Sequence, residues 1–590
     1  MLSFGFIQGL YAAGIFSIAT MLFRFIPKAK QYWAAALLLI LITPLALGGI
    51  WFSLPAWGVS DWDYYFSLHH SWRQNILTHH QFPFWNPVTC GGTAGLGEPE
   101  FSVLTPTFLL ELIFGIPVGL RLAIFFSVAL TGLGAIALAK QLKLSPLAAL
   151  TAALILSFGS VNLLEIVEGH VNIFAAMWIP WIFWAWIKVY RKELPAFVCG
   201  IFLALTFLQG GIYLLMYTAL AFLVLPLLTK KPLYAYKVCL IAGVWALGFA
   251  AVKLIPVFLW LRQFQDAAYA GATYTLPYIH KILFGRYLHG SEVLPNQGTG
   301  WHEYGAYIGI TASVLASLGF VIYFRTNRIV RGLCIAAVLA LLLSSAGPLL
   351  KPAFDHMPWF PRSAISRVIL FTIIPVSLLA GFGIDALKKI KFGYILAFIF
   401  ISISAVELLT FSYQLSEQPF VLPTVVPAVN PAPSPLAFTA HKYTYRTSGG
   451  VDYDRTYAAV LAGYGSMNYC STIGPEPMVR TIHDEEDTGI VSLNEKAGTV
   501  EHVDWSPNQI TVTGNVTTPT TLILNTNFAK GWFANQQKAV NRSGRVSTDL
   551  STGPFTVVFT YVTPGYLLGL IITLLTIATA LYSKVRKLWA

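Results

Sequence analysis

The chain has 590 residues, of which 56% are hydrophobic and only 11% are charged, and its mean hydropathy is +0.64. Soluble domains carry about 25% charged residues, so this composition excludes a soluble globular protein and predicts one that spans a membrane. The net charge of +12 would suit nucleic-acid binding, but the positions of the basic residues exclude nucleic acid as a partner.

Apolar runs of about twenty residues recur along the chain, each long enough to cross the hydrocarbon core of a bilayer. The runs at 145–160 and 194–209 are short, so their ends are the least sharply defined. The first run lacks a basic leader and a small-residue cleavage site, which predicts a retained helix. Thirteen transmembrane helices are predicted, at residues 3–24, 32–54, 118–139, 145–160, 171–189, 194–209, 212–229, 236–258, 304–324, 331–350, 367–387, 392–413 and 565–584.

Basic residues between alternate spans predict the topology. Seven short segments hold 20 of the 38 basic residues, and their only acidic residues are Glu193 and Asp385. The basic residues are Arg24, Lys28, Lys30, Lys140, Lys143, Lys188, Arg191, Lys192, Lys230, Lys231, Lys237, Arg325, Arg328, Arg331, Lys388, Lys389, Lys391, Lys584, Arg586 and Lys587. The positive-inside rule places all seven segments in the cytoplasm. We therefore expect a multi-pass protein of the cell (plasma) membrane with its N-terminus outside and its C-terminus inside.

Four loops are predicted on the outer side, at 55–117, 160–170, 259–303 and 351–366, together with a longer segment at 414–563. All twelve histidines fall in these segments and none falls in a cytoplasmic loop. Side chains suited to acid–base chemistry and ligand binding are therefore concentrated on one side of the membrane. The functional site is expected there.

The segment 414–563 is long enough to fold as a domain outside the membrane. It opens with a proline-rich stretch from Pro419 to Pro435, and its later half alternates apolar and polar residues between turns. Such alternation is typical of antiparallel strands. The sequence therefore predicts a mainly α-helical transmembrane domain at 1–413, an extracytoplasmic β-sandwich at 414–563 and a C-terminal membrane anchor at 564–590.

Two of the five cysteines, Cys90 and Cys470, fall on the predicted outer side, where a disulfide can persist. A bridge between the first outer loop and the β domain and a pair of separate thiols are both compatible with the sequence. Cys199, Cys239 and Cys334 lie in or beside spans and are expected to pack as small apolar residues.

The first outer loop begins with two acidic residues, Asp61 and Asp63. Apolar residues then recur at helical spacing from Tyr65 to Ile76, which predicts a helix lying in the membrane interface. If the stretch is helical, the two acids point about 200° apart and cannot serve one atom; if it is extended, they share a face and could bind a metal together. Ser60 and Asp63 also have the spacing of a capping box, which gives Asp63 a structural alternative.

Several short motifs of the outer segments follow one another in a particular order. They are Asp61 after a span, Phe82-Pro-Phe-Trp-Asn-Pro with the Gly91-Gly92 turn, Glu168-Gly-His170, Gln209-Gly-Gly, His302-Glu-Tyr-Gly-Ala-Tyr-Ile-Gly309, Pro358-Trp-Phe-Pro-Arg362-Ser-Ala-Ile-Ser-Arg367 and Phe528-Ala-Lys-Gly-Trp532. In this order they resemble YfhO-type bacterial membrane proteins, of the GT-C superfamily of polyprenol-phosphate-dependent glycosyltransferases. The resemblance covers most of the chain and implies a GT-C-like fold.

The resemblance also implies an inverting glycosyltransferase. The donor would be a monosaccharide on a polyprenyl phosphate, and the acceptor a hydroxyl of a surface glycopolymer or protein. A carboxylate must take the hydroxyl proton or hold a divalent cation such as Mg²⁺ or Mn²⁺, a role that suits Asp61. Cations must hold the leaving phosphate, and Arg362 and Arg367 offer planar donors suited to its oxygens. For these arginines, snorkelling to lipid headgroups is the alternative.

Further candidate residues follow from their positions in the outer segments. Glu168 and His170 flank a glycine at a helix end and are candidates for catalysis, as is Asp63. Lys253 lies within an apolar span, and an intramembrane charge is a functional candidate. A satisfied interfacial pair is the alternative for Glu168 and His170, and a side chain that reaches up to the outer interface is the alternative for Lys253. The candidate substrate-binding residues, besides the two arginines, are Lys253, His302, Glu303 and Arg73.

Two functions of other classes are also compatible with the sequence. One is a transporter or flippase for lipid-linked sugars, against which the scarcity of intramembrane charges argues. The other is a non-catalytic assembly factor that keeps the fold, against which the presence of Asp61 with both arginines argues. The sequence identifies neither the sugar nor the acceptor.

Overall fold

The computed structural model describes residues 4–54, 56–263, 276–288, 300–345, 362–422, 438–439, 444–446, 452–454, 456–466, 489–494 and 496–589. For 362–364, residue 422, the three short strands between 438 and 454, and 584–589, the description covers the backbone alone. Helices make up most of the described chain up to residue 416, and strands most of 489–561.

Ten helices of the described chain are long and apolar enough to cross a membrane. They are Phe4–Phe25, Lys28–Ala46, Ile116–Gln141, Pro146–Glu168, Val171–Tyr190, Pro232–Leu261, Arg328–Ser345, Ile365–Leu387, Gly393–Ser416 and Tyr566–Ser583. Three shorter apolar helices, Ala196–Leu208, Ile212–Leu228 and Ile310–Tyr323, occupy the positions of the three other predicted spans. The prediction of a polytopic, mainly helical protein is confirmed, whereas the orientation of its termini stays a prediction.

The fourth span extends farther than the sequence analysis predicted. Helix Pro146–Phe158 starts after Ser145, whose hydroxyl accepts the N–H of Ala148, and has proline in its first turn. The segment 160–170, expected as a loop, instead forms a second helix, Ser160–Glu168, after a break at Gly159. Its residues 162–166 are buried, and the acidic Glu165 is among them.

Two charged side chains inside spans satisfy backbone groups of neighbouring elements. The side chain of Arg121 is fully buried and donates to the carbonyl oxygens of Ser53 and Ala56 at 2.9 and 2.6 Å. Glu407 accepts the first two backbone N–H groups of helix Ile310–Tyr323 at 3.2 and 3.0 Å. Both charges therefore replace hydrogen bonds that water cannot supply inside a bilayer.

Two antiparallel sheets form the domain after residue 489. In spatial order, the first contains Gly498–Ser506, Gln509–Val516, Gly553–Tyr561, Trp532–Ala534 and Gln537–Lys538, and the second contains Val540–Arg542, Arg545–Leu550, Thr520–Asn527 and Val491–Ser492. Val512 and Phe559 of the first sheet share one hydrophobic core with Leu522 and Val546 of the second. The predicted β-rich domain, followed by the apolar helix Tyr566–Trp589, is confirmed.

Smaller elements connect these parts. Short helices lie at Gly48–Phe52, Asp61–Leu77, Pro106–Phe114, Ile279–Phe284 and Thr456–Leu461. Strand pairs join Trp57–Gly58 with Phe420–Leu422, Trp85–Asn86 with Thr93–Ala94, Phe438–Thr439 with Gly465–Ser466, and Thr444–Arg446 with Asp452–Asp454. The first of these pairs ties the first outer loop to the chain that follows the penultimate span.

The first outer loop is also built into the core of the β domain. The indole of Trp85 packs against Trp532 and Tyr561, with ring centroids 5.3 and 4.6 Å apart. The amide of Asn527 donates to the carbonyl oxygens of Cys90 and Gly92 at 2.6 and 3.2 Å. The loop and the domain therefore form one continuous structure.

The helix Asp61–Leu77 does not lie at a lipid headgroup surface as predicted. Eleven of its residues are buried, and Trp62 and Trp72 are fully covered. Helix Thr456–Leu461 and strand Phe420–Leu422 pack around it. The prediction of a helix is confirmed, but protein covers its apolar residues and also polar ones such as Ser67 and His69.

Candidate active site

Two of the predicted outer segments meet where helix Asp61–Leu77 begins. Helix Ser160–Glu168 ends at Gly169, whose φ of +99° is in the left-handed region. A Cβ on this glycine would lie 2.3 Å from the backbone nitrogen of Trp62, so only glycine allows the two segments to approach this closely. The indole of Trp62 donates to the carbonyl of Ile166 at 2.7 Å and fixes the contact.

His170 lies at the centre of the resulting cluster. Its Nε2 atom is 3.2 Å from Oδ2 of Asp61, and its Nδ1 atom is hydrogen-bonded to Oε2 of Glu165. The side chain of His170 is 13% exposed and that of Glu165 is 4% exposed, whereas that of Asp61 is 36% exposed. The imidazole therefore links a buried carboxylate to one that solvent and substrates can reach.

The surroundings of His170 decide its charge. Burial and the guanidinium of Arg367 lower the pKa of His170, but the charge of Glu165 and hydrogen bonds to Asp61 and Glu165 outweigh them and raise it to about 10. His170 is therefore an imidazolium at neutral pH. Both ring nitrogens then donate, which fixes the orientation of the Asp61 carboxylate.

Arg367 is held by two carboxylates. Its Nε and Nη2 atoms donate to the two oxygens of Glu303 at 2.9 and 2.7 Å, and Nε lies 3.1 Å from Oε1 of Glu165. The side chain is 11% exposed and its guanidinium lies 5.8 Å from the ring centroid of Tyr213. Such a bidentate, buried arrangement is that of a positioning ion pair rather than of a side chain that snorkels to headgroups.

His302 brings the third outer loop to the same place. Its Nδ1 atom lies 3.5 Å from Oε1 of Glu168, and its Nε2 atom 3.7 Å from Oε1 of Glu303. Its ring meets that of His170 edge to face, with centroids 5.2 Å apart. Glu168 also forms a hydrogen bond with Ser60, next to Asp61.

The structure therefore brings together residues from three predicted outer loops and Arg367, the first residue of the predicted span 367–387. We call this group the Asp61 cluster; it consists of Asp61, Glu165, Glu168, His170, His302, Glu303 and Arg367. Four carboxylates face one imidazolium and one guanidinium, with His302 as the remaining titratable group. The cluster thus carries a surplus of negative charge.

A cavity of about 360 Å³ opens beside the cluster. Ser60, Glu168 and His302 line it together with the polar side chains of Glu417 and Gln418, and its other walls are apolar. Burial raises the pKa of Glu417. The cavity therefore offers carboxylate, hydroxyl and amide groups to a ligand with several hydroxyls, and its lining residue Ser60 directly precedes Asp61 in the chain.

The ligand atoms of His170, His302 and Glu303 lie within 4.8 Å of one another, as a metal site would require. However, both nitrogens of His170 donate to carboxylates, and both oxygens of Glu303 accept from Arg367. A metal-bound histidine needs an unprotonated nitrogen. In this arrangement the residues do not fit a divalent cation, and Asp61 accepts a hydrogen bond from His170 instead.

Asp63 faces away from the cluster. Its side chain is buried and accepts the backbone N–H groups of Thr456 and Tyr457, at the start of helix Thr456–Leu461. The Ser60 side chain makes no capping bond to its own helix. The stretch is therefore helical rather than extended, and Asp61 and Asp63 do not share a face. Asp63 caps a helix of another segment rather than its own.

Arg73 also lies away from the cluster. Its guanidinium donates to the carbonyl oxygens of Glu111 and Leu112 at 3.0 and 3.4 Å, at the end of helix Pro106–Phe114. A cation at a helix C-terminus satisfies carbonyl groups that have no partner in the helix. The side chain of Arg362, the other predicted phosphate ligand, lies outside the described side chains.

Lys253 belongs to a second buried group of charges. It is fully buried and donates to the carbonyl oxygen of Phe207 at 3.1 Å, and Glu98 and Glu100 are its charged neighbours. Burial, and then the charge of Glu100, raise the pKa of Glu98. Glu100 accepts hydrogen bonds from Tyr65 and from the amide of Asn172 at 2.6 Å.

The sequence analysis missed two of the carboxylates that organise this region. Glu165 stands among apolar residues of a helix, five residues before His170, and Glu100 stands in a stretch rich in glycine and proline. An acidic residue in an apolar helix is costly without a partner. The cost of an unpaired acid in an apolar helix could have identified Glu165 as a candidate. It could not have identified the partner Arg367, which is distant in sequence.

The chain matches no family model and no curated protein. Among solved structures, it is similar to the arabinofuranosyltransferase AftD from mycobacteria, determined by cryo-electron microscopy, with a TM-score of 0.39 and 14% sequence identity. The similarity covers 67% of this chain and 27% of AftD, so the chain spans about a quarter of that protein's length.

Proposed function

We propose that the protein is an inverting membrane glycosyltransferase that moves a monosaccharide from a polyprenyl phosphate to a hydroxyl of a surface glycopolymer or protein. The observation that carries the proposal is the Asp61 cluster, in which a partly exposed carboxylate is oriented by a buried imidazolium. Its neighbour Ser60 and two other cluster residues, Glu168 and His302, line a cavity. The motif resemblance supports the same chemistry.

The negative charge of the cluster suits the sugar ring of the donor rather than its leaving phosphate, which needs cations. Glycosyl transfer passes through a transition state with positive charge on the sugar ring. Glu168 lines the cavity and Asp61 is partly exposed, and both carboxylates are proposed to stabilise such a charge.

Asp61 is proposed as the general base. Its carboxylate takes the proton of the acceptor hydroxyl as that oxygen attacks the anomeric carbon. The bond between the anomeric carbon and the phosphate oxygen breaks, and the lipid phosphate leaves with the electron pair. His170 donates from Nε2 to one Asp61 oxygen and so directs the other toward the cavity.

The two arginines receive different roles. Arg367, already bound by Glu303 and Glu165, is proposed to position those carboxylates and His170. Arg362 keeps its predicted role at the lipid phosphate. Since the cluster residues do not fit a divalent cation, no step is assigned to one; transfer assayed after EDTA treatment, with and without added Mg²⁺ or Mn²⁺, tests the predicted metal role of Asp61.

The acceptor is proposed to occupy the 360 Å³ cavity. Its lining groups suit neutral hydroxylated ligands, because Glu168 and Glu417 accept from hydroxyls and repel anions. An acceptor sugar there would present a hydroxyl toward Asp61.

The transporter alternative receives less support. Arg121 and Glu407, which lie inside spans, are bound to backbone groups, and Lys253 donates to backbone carbonyls. Charges used in this way hold helices together, whereas a translocation path needs charges that exchange partners.

The test is transfer of radiolabelled sugar from polyprenyl-phosphate donors in membranes that contain wild type, Asp61→Asn or Asp504→Asn at matched expression. Asp504 lies exposed on the β domain and serves as the control. We expect Asp61→Asn to lose transfer by about 10²-fold or more and Asp504→Asn to retain it. Equal transfer by all three proteins, or no transfer by wild type from any donor, would overturn the proposal.

A further inference from the structure

A second, larger cavity lies among the membrane helices, away from the Asp61 cluster. It encloses about 730 Å³ between helices Ile179–Tyr190, Ile212–Val224, Arg328–Ser345 and Leu370–Leu387. Leucine, isoleucine, valine and aromatic side chains form most of its wall. The apolar lining suits hydrocarbon chains rather than a soluble substrate.

Three cations lie at one end of this cavity. Arg191, Lys230 and Arg328 line it and are exposed, and all three belong to segments that the sequence analysis places in the cytoplasm. No aspartate or glutamate is among the described residues that line the cavity. We call this end of the cavity the mouth. It therefore carries three positive charges, and no carboxylate among the described lining residues neutralises them.

The arginines at the mouth are held in place by backbone and amide groups. Arg328 donates to the carbonyl oxygens of Leu228 and Thr229 at 3.2 and 2.6 Å. Arg191 donates to the side-chain and backbone oxygens of Gln141, both at 3.2 Å. These acceptors are neutral, and the nearby carboxylate of Glu193 is bound by Lys188 at 2.9 Å, so the mouth keeps a net positive charge for an anionic ligand.

We propose that this cavity binds a phospholipid of the cytoplasmic leaflet with an anionic headgroup, such as phosphatidylglycerol. The phosphate lies among Arg191, Lys230 and Arg328, and an acyl chain extends between the helices. Basic pockets between helices on the cytoplasmic side bind anionic headgroups in this way. The proposal does not depend on the glycosyltransferase function.

The position of the cations favours an anionic phospholipid of the cytoplasmic leaflet over a polyprenyl phosphate whose headgroup lies at the outer side. The opposite part of the cavity wall includes Val368, next to Arg367, but Glu165 and Glu303 already bind that guanidinium. The cations without carboxylate partners in the wall are those at the cytoplasmic mouth. An anionic headgroup therefore has its complement at that end.

The experiment is native mass spectrometry of the full-length protein in detergent with equimolar phosphatidylglycerol and phosphatidylethanolamine. The test variant is Arg191→Gln/Lys230→Gln/Arg328→Gln. The matched control, Lys388→Gln/Lys389→Gln/Lys391→Gln, removes the same charge from another predicted cytoplasmic loop that does not line the cavity. Ala336→Phe, which fills the cavity without changing charge, tests the acyl site.

We expect wild type and the control variant to retain phosphatidylglycerol preferentially. Each cation is worth about fivefold in binding, so the triple mouth variant should lose at least about tenfold of that retention, and Ala336→Phe should lose it for both lipids. Circular dichroism establishes that each variant is folded. Equal retention of the two lipids by wild type, unchanged retention in the mouth variant, or an equal loss in the control variant would overturn the proposal.

Discussion

The Nε2 atom of His170 lies 3.2 Å from Oδ2 of Asp61, and its Nδ1 atom is bound to Glu165. One imidazolium thus joins the first outer segment to a buried carboxylate of the second. Because Arg367 binds the same Glu165, the orientation of Asp61 depends on contacts that extend to the start of the predicted span 367–387. Substitutions in these residues, and at the contact between the first loop and the β domain, test this dependence.

The two acids of the first loop should respond differently to substitution. Asp63→Asn removes a charge that accepts two backbone N–H groups in a buried site, so we expect a loss of about 1–3 kcal/mol in stability. Asp61→Asn should leave the melting temperature close to that of wild type and abolish transfer. Thermal melts in detergent beside transfer assays measure both effects. A stable Asp63→Asn protein would contradict the capping role.

The charge of His170 should appear in the pH dependence of stability. Its pKa is raised from the usual 6.5 to about 10 in the folded protein, so its contribution is full below about pH 6.5 and disappears as pH rises to 10. Wild type should therefore lose thermal stability between pH 6.5 and 10 more steeply than His170→Gln. Parallel curves for the two proteins would show that His170 is neutral when folded.

Arg367 and Glu303 should be energetically coupled. Arg367→Gln leaves Glu303 without its bidentate cation and leaves Glu165 with His170 alone; loss of one partner of a buried ion pair typically costs about 3–5 kcal/mol. The double variant Arg367→Gln/Glu303→Gln should lose less than the sum of the two single variants. Chemical unfolding of the four proteins in mixed micelles gives the coupling. Additive losses would mean that the bidentate contact contributes nothing to stability.

Gly92 should tolerate no side chain. Its φ is +105°, and a Cβ would lie 2.4 Å from Oγ1 of Thr526 and 2.6 Å from a ring carbon of Trp85. Gly553 has a φ of +118° and nothing within 4 Å of its Cβ position, so Gly553→Ala controls for backbone strain alone. Gly92→Ala should expose the β domain to limited proteolysis, and Gly553→Ala should do so much less. Equal sensitivity of the two variants to the protease would mean that backbone strain alone, rather than a clash of the new Cβ, causes the effect.

Hydropathy and charge position predicted the helices well because membrane insertion depends on local composition. The alternation of strands in the β domain was visible for the same local reason. The contact partners of individual residues were not visible in the sequence. Asp63 binds residues 456 and 457, and Glu165 binds Arg367. Such contacts depend on how distant segments pack, which a periodic pattern does not encode.

Cys90 illustrates the same limit. It is disulfide-bonded, and Cys199, Cys239 and Cys334 are free, which agrees with their expected packing. Cys470 lies outside the described residues, so the bridge between the two stays a prediction. Peptide mapping of the non-reduced protein tests that bridge.

The packing of Trp85 against Trp532 and Tyr561 has a consequence for the order in which the protein is made. About 450 residues separate the two tryptophans, and at about 5–20 residues per second their synthesis takes roughly 20–90 s. During that interval the strands that will cover the indole of Trp85 do not yet exist. The first loop therefore completes its packing only after the β domain has been synthesised.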